Sequence, residues 1–211
     1  MFSILQAAGW PILPLLLCSV VSLALIIERF LSLREARVAP PRLVDEVISV
    51  TRTSLPPADT VNKLAENSPL GLLLAQGLRA AMAEQRISET NLRSAFESAG
   101  RDAVHQLERN LNALGTIASA APLLGLLGTV IGMIEIFGAS GASGSAGGNP
   151  MELAHGISVA LYNTAFGLIV AIPSLMCYRH FRARVDAYTL RMEQAAERMV
   201  PHVMRITHPR R

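Results

Sequence analysis

APLLGLLGTVIGMIEIF at residues 121–137 and LAHGISVALYNTAFGLIVAIPS at residues 153–174 decide the fold. Both are apolar over most of their length, and the linker between them, Gly138–Glu152, contains neither Lys nor Arg. Working outward, Asn110–Ile134 carries no charged side chain, and Leu153–Tyr178 carries none apart from the neutral-type His155. A third uncharged run opens the chain, from Met1 to Ile27. An α-helix needs about 20 apolar residues to cross the hydrocarbon core of a bilayer. Three such runs predict an all-α integral membrane protein with three transmembrane helices.

The charges fix the expected orientation. Of 19 Lys and Arg residues, eleven lie between Arg29 and Arg109 and eight between Arg179 and Arg211. None precedes the first span or separates the second from the third. Basic residues stay on the cytoplasmic side, so the N-terminus and the Gly/Ser linker are expected outside and the two charged segments inside. A formal charge of +3 and a pI near 9.3 fit a basic surface beside anionic lipid and call for no nucleic acid. The start MFSILQAAGW lacks the basic n-region of a cleaved signal peptide and is expected to remain. The two cysteines, Cys18 within the first span and Cys177 at the inner end of the third, are expected at different membrane depths and therefore not bridged. The sequence contains no metal-ligand cluster, and no cofactor is expected.

Taken in order, residues 1–30 hold an outward-facing N-terminus and the first membrane helix. Phe2, Ile4, Leu5 and Trp10 suit the outer interface, and Pro11 and Pro14 fall in the first turns of a helix running to Phe30. Its bulky side chains suit a lipid-facing position. Residues 31–110 form a cytoplasmic helical region, with breaks at Ala39–Pro41 and Leu55–Asp59 and a short helix at Leu43–Thr51. Ser68 and Pro69 open a further helix as N-cap and first residue, with Leu70, Leu74, Gly77 and Ala81 on one face.

From Ser88 the apolar residues Leu92, Phe96, Ala99, Ala103, Leu107, Leu111 and Leu114 recur every three or four positions. With no breaker before the second span, Ser88–Phe137 reads as one helix kinked at Pro122, its membrane part at 111–137. The outer linker occupies 138–152 and the third membrane helix 153–178. That helix is expected to kink at Pro173, to extend to Val200 through the stripe Phe181, Val185, Tyr188, Met192, Ala195 and Met199, and to stop at Pro201 before a loose tail. The cytoplasmic C-terminal segment is thus 179–211, and two of the three membrane helices extend into a cytoplasmic helical bundle.

The small residues Gly115, Ala118, Ala121, Gly125, Gly128 and Gly132 follow one stripe of the second span, and Gly156, Ala160, Thr164, Gly167, Ala171 and Ser174 follow one stripe of the third. Such stripes let membrane helices approach closely. This closeness serves packing within one chain, or a shared pore wall. Thr129 and Thr164 sit mid-span; each hydroxyl could bond the carbonyl four residues back or line a proton path. The Asn163 amide cannot be satisfied that way in lipid and is expected to face protein or water. Glu135 is the one carboxylate within these spans, near the outer end of its helix, where it is either functional or simply reaches water. No acid stands at mid-span. If this chain conducts protons, the titrating group is expected from a second protein.

The segment LGTIASAAPLLGLLGTVIGMIEIF with LAHGISVALYNTAFGLIVAIPS closely resembles the proton-channel family of ExbB, TolQ and MotA. The likeness is strongest over Leu114–Tyr178. Three spans with an outer N-terminus resemble the ExbB and TolQ branches rather than the four-span MotA branch. The resemblance implies a homopentameric ring around a pore, in the inner membrane, that holds a dimer of an ExbD-like or TolR-like protein carrying an essential transmembrane Asp. It implies proton flow coupled through a TonB-like or Tol–Pal protein to the outer membrane. The family's two pore threonines correspond to Thr129, in GLLGTVIG, and Thr164, in LYNTAFGL; its helix-three proline corresponds to Pro173. Gly125, Gly128, Gly132 and Gly167, with Pro122, are read as packing and kink positions. One departure is Val159, where relatives often have Glu.

The leading reading is a non-enzymatic, proton-conducting stator of the TonB-energising type, with a Tol–Pal subunit as the close alternative. A membrane adaptor that conducts nothing is the alternative from another class. An intramembrane enzyme has no nucleophile, base or metal set to support it.

Overall fold

The computed structural model describes residues 10–52, 54–84, 86–142 and 150–208. The interfacial residues Phe2, Ile4 and Leu5, the linker at 143–149 and the side chains of His155 and Val159 lie outside the described residues. Among the described residues all regular structure is helical: α1 Ile12–Ser32, α2 Glu35–Val38, α3 Leu43–Val50, α4 Ala58–Asn67, α5 Pro69–Ala83, α6 Glu89–Glu108, α7 Leu111–Ala142 and α8 Pro150–Thr207. Three of these, α1, α7 and α8, are long and apolar enough to cross a membrane. The chain divides into two compact units. An apolar unit comprises Met1–Glu28 and Asn110–His180, and a charged unit comprises Arg29–Arg109 and Phe181–Arg211.

In the apolar unit the three long helices meet in one cluster. Leu15, Ala121, Val170 and Ala171 are buried, and Cys18, Ile117, Leu124 and Phe166 pack against them. Helix α1 is therefore not wholly lipid-facing. Ile12, Leu15 and Ser22 are buried, while Leu13, Leu17, Val20, Leu23 and Ile27 stay exposed. A helix with this much exposed apolar surface is at rest in lipid and would be insoluble in water. Both cysteines are free thiols.

In the charged unit α5 packs against α4 and α6. Ser68 caps α5 by accepting from the Gly71 N–H at 3.0 Å, and Ser88 caps α6 by accepting from Asn91 N–H at 3.1 Å. The Phe96 ring of α6 lies where a side chain at Gly77 of α5 would stand. The α8 stripe Phe181, Val185, Tyr188, Met192, Ala195 and Met199 is buried throughout. Around it, Tyr188 donates its hydroxyl to the Leu33 carbonyl at 2.7 Å, and Arg182–Glu108, Arg191–Glu35 and Arg198–Asp45 form ion pairs. These pairs are largely exposed and fix register more than they add stability.

Two expectations are corrected. The helix read as continuous from Ser88 to Phe137 is broken at Arg109–Asn110. The last carbonyls of a helix lack intrahelical donors, and the buried Arg29 guanidinium takes one of them, donating to Leu107 O at 3.0 Å. A cation at that end also meets the negative pole of the helix dipole. Asn110, a residue type suited to helix starts, gives its carbonyl to Leu114 N–H at 3.4 Å as α7 begins, and its amide donates to Glu28 at 3.1 Å. Nor does Pro201 stop α8, which runs on to Thr207. The ring costs the Glu197 carbonyl its donor, but Met199, Val200 and Val203 are buried on either side. Packing outweighs the lost bond, and the segment expected to be a loose tail is helical.

Candidate functional site: the α7–α8 contact

The site is built on missing side chains. Gly125, Gly128 and Gly132 face α8, and Gly167 faces α7. A Cβ on Gly125 would stand 2.8 Å from the Asn163 carbonyl oxygen and 3.0 Å from Thr164 Cα; one on Gly167 would stand 2.6 Å from the Ala121 carbonyl oxygen and 3.2 Å from Gly125 Cα. Here backbone lies against backbone, the geometry that small residues permit in membrane helices. Gly128 differs, because a Cβ there would meet the Asn163 side chain at 2.8–3.0 Å, and one on Gly132 would meet Ala160 Cβ at 3.2 Å.

The polar residues of the two spans fall into separate environments. Asn163 is buried at 2% exposure within the contact. Thr164 does not bond back along its own helix. Its Oγ donates to the Gly125 carbonyl on α7 at 3.2 Å, joining the two helices. Thr129 does bond back, to the Leu126 carbonyl at 2.6 Å, and is half-buried. It lines a shallow apolar groove of about 590 Å³ with Val130, Met133, Ile134, Phe137 and Gly138. Glu135 and Tyr162 are exposed, as is Pro173, while Pro122 is half-buried. The contact thus brings together Thr164, Asn163, Gly125, Gly128, Gly132 and Gly167, and leaves Thr129 facing the groove and Glu135 at the surface.

Sequence reading paired the two threonines as equivalents and missed that one is an interhelical donor. The signal was present: Gly125 and Gly167 are the closest-approach positions, and Thr164 lies three residues before Gly167 on the same helix face. It also missed Leu15 and Cys18 as contributors to the core, because their neighbours in α1 are uniformly bulky.

The fold and this contact define a class: an all-α membrane protein in which two small-residue helices pack closely around buried polar groups. The sequence profile of the MotA/TolQ/ExbB proton channel family matches residues 65–194. The ExbB-like 3 protein of Synechocystis sp., named for biopolymer transport, is 34% identical over 178 residues, covering 84% of this chain and 83% of that one. The chain belongs to the MotA/TolQ/ExbB proton channel family. Members of this family are channel subunits rather than enzymes.

Proposed function

We propose that this chain is the proton-conducting stator subunit of an ExbB–ExbD-type complex, which uses the proton motive force to energise TonB-dependent transport across the outer membrane. It works as a homopentamer in the inner membrane, with its N-terminus periplasmic and residues 31–110 and 179–211 cytoplasmic. Thr129 and Thr164, with Asn163 and Glu135, belong to the proton path. The observation that carries this reading is the pairing of hydroxyl groups with an absence of acid: Thr129 opens onto an apolar groove on α7, yet no carboxylate occurs from Asn110 to Ile134 or from Leu153 to Tyr178. Hydroxyls can relay a proton but do not hold one at neutral pH. An ExbD-like or TolR-like partner supplies the transmembrane Asp that takes and releases it.

The test is proton uptake into liposomes holding the chain with its ExbD-like partner under an imposed potential. Flux is expected with both proteins, and is expected to vanish when the partner's Asp is replaced by Asn. Flux from this chain alone, or none from the pair, would overturn the reading. In cells, deletion is expected to abolish growth under iron limitation; detergent sensitivity with chaining instead would assign the chain to the Tol–Pal system.

A further inference from the structure

Asn163 is polar in its side chain and almost wholly enclosed in the α7–α8 contact, at 2% exposure. An amide is costly at membrane depth unless protein surrounds it. Its seat is Gly128: a Cβ there would lie 2.8 Å from Asn163 Cβ, 2.9 Å from Cγ and 3.0 Å from Nδ2. The Asn163 side chain, from Cβ to the amide nitrogen, occupies the space that any larger residue at 128 would fill. The next residue, Thr164, carries the hydroxyl that reaches Gly125 O at 3.2 Å. Neighbouring residues on a helix are separated by about 100°, so seating Asn163 fixes the direction in which Thr164 points. On the α7 side, Gly128 immediately precedes Thr129, so the same seat fixes which face of α7 carries the Thr129 hydroxyl to the groove.

We infer that Asn163, seated on Gly128, is a positioning residue that sets the rotation of α8 against α7 and thereby aims both threonine hydroxyls. Its consequence for proton flow rests on the function proposed above; the helix register itself does not, and can be read separately. Gly125 supplies the internal control. A Cβ at 125 meets backbone atoms, the Asn163 carbonyl oxygen and Thr164 Cα, which no side-chain truncation removes. A Cβ at 128 meets the Asn163 side chain from its Cβ outward, which truncation to Gly does remove.

The experiment uses the full chain with its ExbD-like partner in liposomes, reading proton flux. In parallel, the register is read by oxidative cross-linking of Gly132→Cys with Ala160→Cys, in a chain carrying Cys18→Ala and Cys177→Ala. The 132 and 160 Cβ positions are 3.2 Å apart, close to the roughly 3.5–4.5 Å that a disulfide spans. Gly128→Ala is expected to lower flux and cross-linking about ten-fold, as overpacking of a tight contact does. Adding Asn163→Gly is expected to restore most of the cross-linking, while flux stays low because Asn163 itself belongs to the proposed proton path. Gly125→Ala is expected to lower both as well, with no recovery of cross-linking on adding Asn163→Gly. Failure of Asn163→Gly to rescue the cross-linking of Gly128→Ala, or equal rescue of both glycine variants, would overturn the inference. If the unsubstituted pair passes no protons, the proton reading fails, and the cross-linking still decides the role of Asn163.

Discussion

At the scale of the residue, two threonines of similar sequence context have different physical roles. Thr164 Oγ donates across to Gly125 O, whereas Thr129 Oγ donates to Leu126 O on its own helix. Removing an interhelical hydrogen bond within a membrane protein costs on average about 0.6 kcal/mol, with a maximum near 1.7. Thr164→Val is therefore expected to lower the thermal stability of the purified chain in detergent. Thr129→Val removes only a local bond at a half-buried position, and its stability is expected to stay within about 0.5 kcal/mol of the unsubstituted chain. Flux should fall in both. Matching melting curves for the two variants would show that the Thr164 bond adds nothing. The sequence marked both residues as unusual in lipid. It did not separate them, because the separation depends on which carbonyl across the contact has been brought within reach by Gly125 and Gly167.

At the scale of the element, the end of α8 shows how tertiary packing overrides a local breaker. Beyond Pro201, Val203 is buried and His202 Nε2 lies 2.8 Å from Thr51 Oγ, at the C-terminal cap of α3. The Thr51 hydroxyl proton goes to Val47 O at 2.7 Å, so the imidazole is the donor and Nε2 carries a proton in the neutral ring. Burial, with help from Arg205 and Arg52, lowers the His202 pKa from its ordinary 6.5, and a hydrogen bond to the Thr51 backbone opposes this only in part. This group lies in the charged unit, past the uncharged part of α8 that ends at Tyr178. Because the folded state favours the neutral ring, its contribution to stability is complete above about pH 6.5. It is lost as pH falls through the folded-state value, since the unfolded chain binds the proton first. Melting curves between pH 7 and 5 are expected to fall more steeply for the unsubstituted chain than for His202→Gln; parallel curves would remove His202 from the account. The Ser68–Pro69 start and the buried stripe Phe181–Met199 were legible because capping and periodicity are local. The break at Arg109–Asn110 and the passage through Pro201 were not, since one depends on Arg29 and the other on the packing of Met199, Val200 and Val203.

At the scale of the whole molecule, the three membrane helices were legible because lipid imposes a length and a lack of charge that little else in a sequence imitates. The division into an apolar and a charged unit follows the same charge pattern: its boundaries, Glu28–Arg29, Arg109–Asn110 and His180–Phe181, lie where the uncharged runs give way to charge. What one chain leaves open is its exposed apolar surface. Leu123, Leu126, Ile134 and Phe137 on α7 and Leu161, Ile169, Ile172 and Met176 on α8 are all exposed. Under the proposed function, native mass spectrometry of the detergent-purified chain is expected to give a pentamer that gains partner copies on co-expression. A monomer indifferent to the partner would favour the non-conducting adaptor and leave the contact as ordinary packing.

The fit of Asn163 into the space at Gly128 also constrains how this protein can change over generations. Under the inferred seating, enlarging residue 128 is harmful while Asn163 stands, and becomes tolerable once residue 163 has shrunk to Gly. Two substitutions that are compatible together are thus reachable in one order and blocked in the other, so ancestry, as much as chemistry, decides which pairs occur.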